Sequence, residues 1–453
     1  MNIQIHERGH GIRPSTRRLL TRTLSPLCGL SQMIGFTTNG RSDPRFMIAG
    51  SELTGVHWLR NQPPPRQGFY HIGGSGVFLD EALLRAVGET AERYAQFVSE
   101  FTGNHEIVHA TYDEMSARRK PLLDREKLCF FTVEQHATQG FPFDPFRADA
   151  PIGWVRVPSL LDDGDLFVPA QLLMVGYVPK TDRGEPWLLP AVTTGSAAHT
   201  DRTAAVANAL LELVQVDSLM GHWYTRRVAP EIAFDRRTEF LQRLIDQEFR
   251  LAGVRPRFFW LANADLAGFT VACVIRGSSR IAPAIGIGLG CDMSLLPAMY
   301  KGLLEAVGVR QLAKVNLLSR GIDRIDDGSD VRLDDIFDLD SNVAYYASGH
   351  DLDFIDAKFS STTRVAASDL PSDPSGGRRD ALDVLRDSFA VSGKQLVFMD
   401  LTTIDVRALQ MIAVRVWSPD TISLSFPSAP PARHQRFEAY GGFDGHGKPH
   451  PYP

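Results

Sequence analysis

Cysteine is scarce in this chain, with 4 in 453 residues. Cys28, Cys129, Cys273 and Cys291 lie far apart and form no CxxC pair, so the sequence indicates neither a disulfide framework nor a thiolate zinc site. Long apolar runs are lacking too. Nothing approaches the ~20 residues that span a bilayer, and the basic N-terminus MNIQIHERGHGIRPSTRR has no apolar centre for a signal peptide. These absences place the expected protein in the cytoplasm, away from membranes. Nor does one sign of charge dominate. The 48 basic and 53 acidic residues leave a net charge of −5, which gives no reason to expect nucleic acid as a partner. No fixed-period repeat of solenoid length is present.

Phosphate-binding signatures are equally thin. GGSG at residues 73–76 can offer backbone N–H groups to a phosphate, with Ser75 among them, but it lacks the Lys-Ser/Thr of a P-loop. GIGLGCD at residues 286–292 lacks the spacing of a dinucleotide fingerprint. HEIVH at residues 105–109 fits HExxH, in which two histidines one helical turn apart hold zinc. The preceding FTGN is a stop signal and no third ligand follows, so zinc is not expected there.

What remains is ordinary globular material, 43% hydrophobic and 22% charged, long enough for a large core. Three stretches read as helices carrying glutamate: residues 80–98, 203–220 and 294–309. On a wheel of the first, Leu83, Val87, Ala91, Tyr94 and Val98 share the core side. Glu89 and Glu92 fall opposite, with Arg93 beside them. Taken alone this is a solvated face with an Arg85–Glu89 pair. The second helix is apolar almost all round, hence buried. Its exceptions Asn208, Glu212 and Gln215 form one stripe, which must meet a cation, a polar cavity or a hydrogen-bond network. The third has Ser294 as its cap and Pro297 in its first turn; alone, its Lys301 and Glu305 read as a surface pair.

Between the helices the sequence predicts strands over CFFTVEQ (129–135), GWVRV (153–157) and LFVPAQLLMVGYV (166–178), with LDDGD as a turn. Two more strands fall within residues 257–277. The acidic stretch 323–340 reads as a solvated loop. The best internal boundary is the Ser/Pro/Gly-rich segment 367–380, followed by a helix and two strands, QLVFMDL and MIAVRVW. The expected organisation is an N-terminal region (1–70), a core (71–366), a C-terminal α/β part of the same domain (381–427) and a Pro/Gly-rich tail (428–453). Carboxylates drawn from distant helices suit an oxygen-rich Mg²⁺ site for a nucleotide.

These pieces resemble the YcaO family. The resemblance rests on AVGETAERY (86–94), PIGWVRVPSLLDDGDLFVPAQLL (151–173), TTGSAAHT with ALLELVQVD (193–217), GLGCDMSLLPAMYKGLLEA (288–306) and DLTTIDV (400–406). The terminal PHPYP resembles the proline-rich end of its azoline-forming branch. The resemblance implies a mixed α/β (α+β) fold, with β-sheets flanked by helices that contribute a Mg-ATP site. It also implies an ATP-dependent cyclodehydratase, which turns Cys, Ser or Thr of a ribosomal precursor peptide into thiazoline or oxazoline through phosphorylation of the backbone amide oxygen. Carried over by position, Glu89, Glu92, Glu212 and Glu305 would hold Mg²⁺ or orient phosphates. Arg93, Gln215, Asn208 and Ser75 would bind ATP, and Pro449, Pro451 and Pro453 would bring the terminal carboxylate to the reaction centre. The implied partners are the precursor peptide, a leader-peptide-binding protein of the E1-like, ocin-ThiF type, and a flavin-dependent azoline dehydrogenase, in a homodimer or hetero-oligomer. The sequence departs from the family pattern at Arg85, Thr194, Ala204, Val216 and Gly308. The alternatives these departures leave are a weakly catalytic scaffold of such a complex, or a thioamide- or amidine-forming enzyme.

Overall fold

The structure, a computed structural model, describes residues 11–25, 27–37, 39–40, 43–56, 72–277, 283–323, 339–360, 362–374 and 376–453. The proline break at residues 63–65 and nearly all of the acidic stretch 323–340 lie outside these residues.

The chain opens with helix α1 (Pro14–Thr23) and an antiparallel sheet of β1 (Ser31–Phe36), β2 (Met47–Leu53) and β3 (Ile72–Gly76). Helix α2 (Leu79–Val98) then packs on β3 and β2. It buries Leu83, Val87, Ala91 and Val98, the apolar side read from the sequence. A second antiparallel sheet is built from β4 (Ile107–Thr111), β5 (Pro151–Pro158) and β6 (Asp165–Pro169). Strand β7 (Ser196–His199) leads into the long helix α3 (Arg202–Trp223), started by Asp201, whose carboxylate accepts the Ala204 N–H at 2.8 Å.

A five-stranded sheet of β8 (Glu231–Ala233), β9 (Pro256–Trp260), β10 (Phe269–Arg276), β11 (Ile285–Asp292) and β12 (Arg364–Ala366) has the order β11-β10-β9-β8-β12. Its pairings are antiparallel except β12 with β8. Between its strands lie α4 (Glu239–Glu248), α5 (Leu295–Asp323), α6 (Leu339–Ala347) and α7 (Leu352–Lys358). Toward the C-terminus follow α8 (Arg378–Val391), β13 (Val397–Asp400) and β14 (Ile412–Trp417), with a 3₁₀ helix over Gln435–Tyr440 after them. Strand β14 pairs with both β13 and β7, so the C-terminal strands share a sheet with residues 196–199.

Helix α3 lies between that sheet and β11 and β10. Against the sequence reading that no run approaches a membrane span, it is long and apolar enough to cross one by length and composition, with 78% of its most apolar window buried in the fold. A helix apolar all round is a core helix when the fold covers it, as here.

Several sequence expectations are corrected. GGSG is not a loop but strand β3, and GIGLGCD is most of strand β11. Their glycines serve close packing. A Cβ on Gly74 would collide with the backbone of α2 at Ala82 and Ala86, and one on Gly288 with α5 at Glu305 and Ala306. CFFTVEQ is not a strand. Residues 125–128 form a 3₁₀ turn, and Val133–Ala137 is a short helix with a capping box between Thr132 and Gln135. LFVPAQLLMVGYV is a strand only to Pro169, after which Ala170–Leu173 is helical. Helix α5 runs on to Asp323, well past residue 309. Arg85 pairs with Glu81 at 3.3 Å, while Glu89 pairs with Arg93 at 3.3 Å. Lys301 pairs with Asp292 at 2.7 Å and leaves Glu305 free to turn inward.

Candidate nucleotide site

Close packing of glycine strands on helices draws acids toward the sheets. On α2, Glu89 accepts the Gly73 N–H of β3 at 3.4 Å. On α5, Glu305 accepts the Leu289 N–H of β11 at 3.0 Å. On α3, Glu212 is held by the Ser196 N–H of β7, and Gln215 lies one turn further on, half-buried.

These carboxylates share one electrostatic field. Burial and then the Glu212 charge push the Glu92 carboxyl well above its ordinary range, against the pull of Arg93. Burial raises Glu212 to about 7, with Glu89 adding to it and Arg93 and Arg415 opposing. Burial raises Glu305 to about 8, the Leu289 N–H opposing and the Glu89 and Glu212 charges adding. Arg93 is desolvated, yet Glu89, Glu92 and Glu212 together hold its proton more tightly than usual. Glu89 and Glu92, expected on a solvated face, are half-buried in this recess. Recessed acids that raise one another's affinity for protons form a site short of positive charge.

Arg415 was missed by the sequence reading. It sits in β14 opposite Ser196 and is 1% exposed. Burial lowers it to about 10, with Glu212 and Glu92 opposing. The available signal was one arginine inside the otherwise apolar run MIAVRVW. Among the described residues, Arg415 Nε and Nη1, Arg93 Nε, Gln96 Oε1 and Ser196 Oγ are buried without a hydrogen-bond partner. Since buried polar groups are normally paired, so many orphans around one acidic recess mark a place for a polar ligand.

The residues fit a nucleotide carrying Mg²⁺. Carboxylate oxygens suit the hard cation, and the orphaned guanidinium N–H groups suit phosphate oxygens. Among the described residues, no three His, Cys, Asp or Glu side chains converge as a closed metal cage. Mg²⁺ is usually held by one or two carboxylates together with substrate phosphates and water.

Other expected residues are placed as follows. Asn208 is exposed on α3, and Ser75 is half-buried on β3, where a Cβ on Gly308 would approach its Oγ to 3.0 Å. HEIVH is not helical, since His109 lies in β4; His105 Nε2 contacts the Asp400 carbonyl at 2.9 Å. The tail is seated on α6 and the end of α3. Asn342 Nδ2 donates to the carbonyls of His450 at 2.6 Å and Tyr452 at 2.7 Å, and Tyr346 Oη donates to that of Pro449 at 2.7 Å. Pro449 and Pro451 are buried and Pro453 half-buried. Burial and then the Glu305 charge push the Tyr452 phenol well above its usual range, so the tail ends within the electrostatic reach of Glu305. Upstream, Arg436 reaches Asp217 of α3 at 2.7 Å and Asp265 at 2.8 Å, and Tyr440 Oη donates to Asp217 at 2.9 Å. This fully bonded buried network pins the tail to the face of α3 opposite its acid stripe.

The profile of the family described as "YcaO cyclodehydratase, ATP-ad Mg2+-binding" matches residues 73–421. Among curated proteins no match was found. Among solved structures, a heterocyclase in complex with substrate and cofactor is 18% identical with a TM-score of 0.70, over 97% of this chain and 57% of that one. The chain thus spans little more than half the length of that relative. YcaO from Methanopyrus kandleri, bound with AMPPCP and Mg²⁺, is 18% identical with a TM-score of 0.60, over 90% of each chain. The E. coli microcin synthetase McbBCD complex is 15% identical with a TM-score of 0.55, over 93% of this chain and 96% of that one. With the profile matching most of its length and the mixed α/β fold shared with these structures, the chain belongs to the YcaO family of cyclodehydratases, described as binding ATP and Mg²⁺.

Proposed function

We propose that this chain is the cyclodehydratase of an azole-modified peptide pathway. It converts Cys, Ser or Thr of a ribosomally made precursor into thiazoline or oxazoline in the cytoplasm. The observation that carries this reading is the electrostatic field that Glu92, Glu212 and Glu305, from three distant helices, share with Glu89, together with the unpaired donors of Arg93 and Arg415.

When bound, Mg-ATP supplies the phosphoryl group that turns a peptide carbonyl oxygen into a leaving group. Glu89, Glu92, Glu212 and Glu305 would hold the metal, one or two of them directly, or orient the phosphates, and Ser75, Asn208 and Gln215 would add polar contacts to the nucleotide. Arg93 and Arg415 offset the phosphate charge in a recess where such charges are weakly screened. Val216 departs from the arginine of the family pattern, and Arg415 brings a guanidinium toward Glu212 from strand β14. The tail brings Pro449, Pro451 and Pro453 toward the reaction centre; its seat on Asn342 and Tyr346 supports that role.

The precursor peptide, an E1-like, ocin-ThiF-type protein that binds its leader, and a flavin-dependent azoline dehydrogenase complete the proposed set of partners. The similar fold of the E. coli microcin synthetase McbBCD complex with pro-MccB17 bound supports a peptide substrate handled in a complex. The test is co-expression with a candidate precursor and leader-binding partner, read by mass spectrometry. Each ring removes the mass of one water.

A further inference from the structure

Pro449, Pro451 and Pro453 have no N–H, so among residues 449–453 only His450 and Tyr452 bring a backbone donor. A segment so rich in acceptors can be buried only where the protein supplies donors. The seat does this residue by residue. Trp223 Nε1 donates to the Lys448 carbonyl at 3.1 Å and Tyr346 Oη to that of Pro449 at 2.7 Å. Asn342 Nδ2 donates to the carbonyls of His450 at 2.6 Å and Tyr452 at 2.7 Å. Trp223 ends α3, while Asn342 and Tyr346 lie one turn apart on α6, and all three are buried.

Two carbonyls within reach of one Asn342 nitrogen require its NH2 group there and use both of its protons. Its Oδ1 is buried with no partner among the described residues, so the bonds this amide makes are spent on the tail. The side chains of the tail fit as well. His450 Nε2 donates to the Ser425 carbonyl at 2.7 Å, and the Tyr452 ring stands edge-on to Trp223 at 6.4 Å. Backbone carbonyls read by donors of aromatic residues, with prolines keeping the ligand stiff, are the chemistry by which aromatic grooves take proline-rich peptides.

We propose that Trp223, Asn342 and Tyr346 form a binding site for proline-rich chain ends, filled in cis by the chain's own tail and open to such a peptide in trans once vacated. The covalent link holds the tail at an effective concentration on the order of mM, so the intact chain keeps its seat filled against rivals. Recognition here is independent of the reaction the chain performs.

Hydrogen exchange read by mass spectrometry tests the seat in the full chain, where His450 and Tyr452 carry the amides of the last five residues. Asn342→Leu, similar in size but without donors, should speed their exchange at least tenfold. Fluorescence anisotropy then tests binding in trans, using a chain ending at Gly447 and the N-terminally labelled peptides KPHPYP and KAHAYA. The proline peptide should bind the shortened chain at least tenfold tighter than the alanine peptide, whose added N–H groups and looser backbone suit the seat poorly. Asn342→Leu in the shortened chain should weaken that binding at least tenfold, and the full chain should not bind the peptide at the same concentrations. Unchanged exchange in full-length Asn342→Leu would overturn the proposal, whether or not the shortened chain folds. So would a folded shortened chain that ignores KPHPYP or binds both peptides equally. Neither readout involves turnover, so a chain that forms no rings would refute the cyclodehydratase reading and leave the result on the seat standing.

Discussion

Replacing Glu212 by Gln removes one charge from the acidic recess and keeps the side chain's size. Glu212 is ordinarily a carboxyl near 4.5 and is raised to about 7 by burial, so ionising it in the folded state works against the fold. That shift corresponds to about 3 kcal/mol at most, and sharing the effect with Glu92, whose own proton depends on Glu212, brings a sensible expectation down to ~1–2 kcal/mol. The folded value lies above the unfolded one. Folded protein therefore holds a proton that unfolded protein has lost between about pH 4.5 and 7, and stability falls as pH rises through that window. Glu212→Gln should thus be nearly silent in thermal melts at pH 4.5 and raise the melting temperature at pH 8 by about 2–4 °C or somewhat less in so long a chain. The same variant should lose Mg-ATP-dependent ring formation, because the charge that burdens the empty site serves the metal. Melts at the two pH values and turnover by mass spectrometry are the assays. Unchanged turnover, or equal stabilisation at both pH values, would refute the reasoning.

Mg-ATP affinity of the unaltered chain should rise between about pH 6 and 9 and then level off, because Glu212 (about 7) and Glu305 (about 8) must shed protons to bind metal; calorimetry in two buffers would show the protons released. Arg415→Met strips Glu92 and Glu212 of a counter-charge and should cut turnover at least a hundredfold, about 2.7 kcal/mol in the barrier. Arg415→Lys keeps the charge without the fork and should recover only part of it; steady-state kinetics of both variants decide. Deleting residues 449–453 should cut ring formation at least tenfold, about 1.4 kcal/mol, with Mg-ATP affinity changed far less; wild-type rates in the truncated chain would count against the tail's role.

The acid stripe of α3 was legible because a glutamate within an almost wholly apolar helix has to be buried. Glu92 and Glu305 were not legible from their own helices. A wheel gives the angle between side chains but not which second element will cover them, and both read as surface groups. The agents that turned them inward are glycines. Gly74 and Gly288 have no side chain to keep α2 and α5 at ordinary distance, and that same lack hid the strand character of GGSG and GIGLGCD. The aromatic run at residues 129–135 imitated a strand. Its capping signal, Thr132 with Gln135, was present in the sequence and outweighed the aromatic residues locally. Arg415 escaped because a strand's pattern does not say which strand will lie beside it; the pairing of β14 with β7, far apart in the chain, is what sets it near Glu212.

The central claim is that this chain, using ATP, closes rings in a peptide backbone. The most direct measurement is high-resolution mass spectrometry of a precursor peptide incubated with the chain, a leader-binding partner and Mg-ATP, beside a reaction lacking ATP. The account expects losses of one water mass per ring at Cys, Ser or Thr, with phosphate released in equal number and neither change without ATP. Phosphate release with no loss of mass from the peptide, or an unaltered peptide with the full set of components, would contradict it.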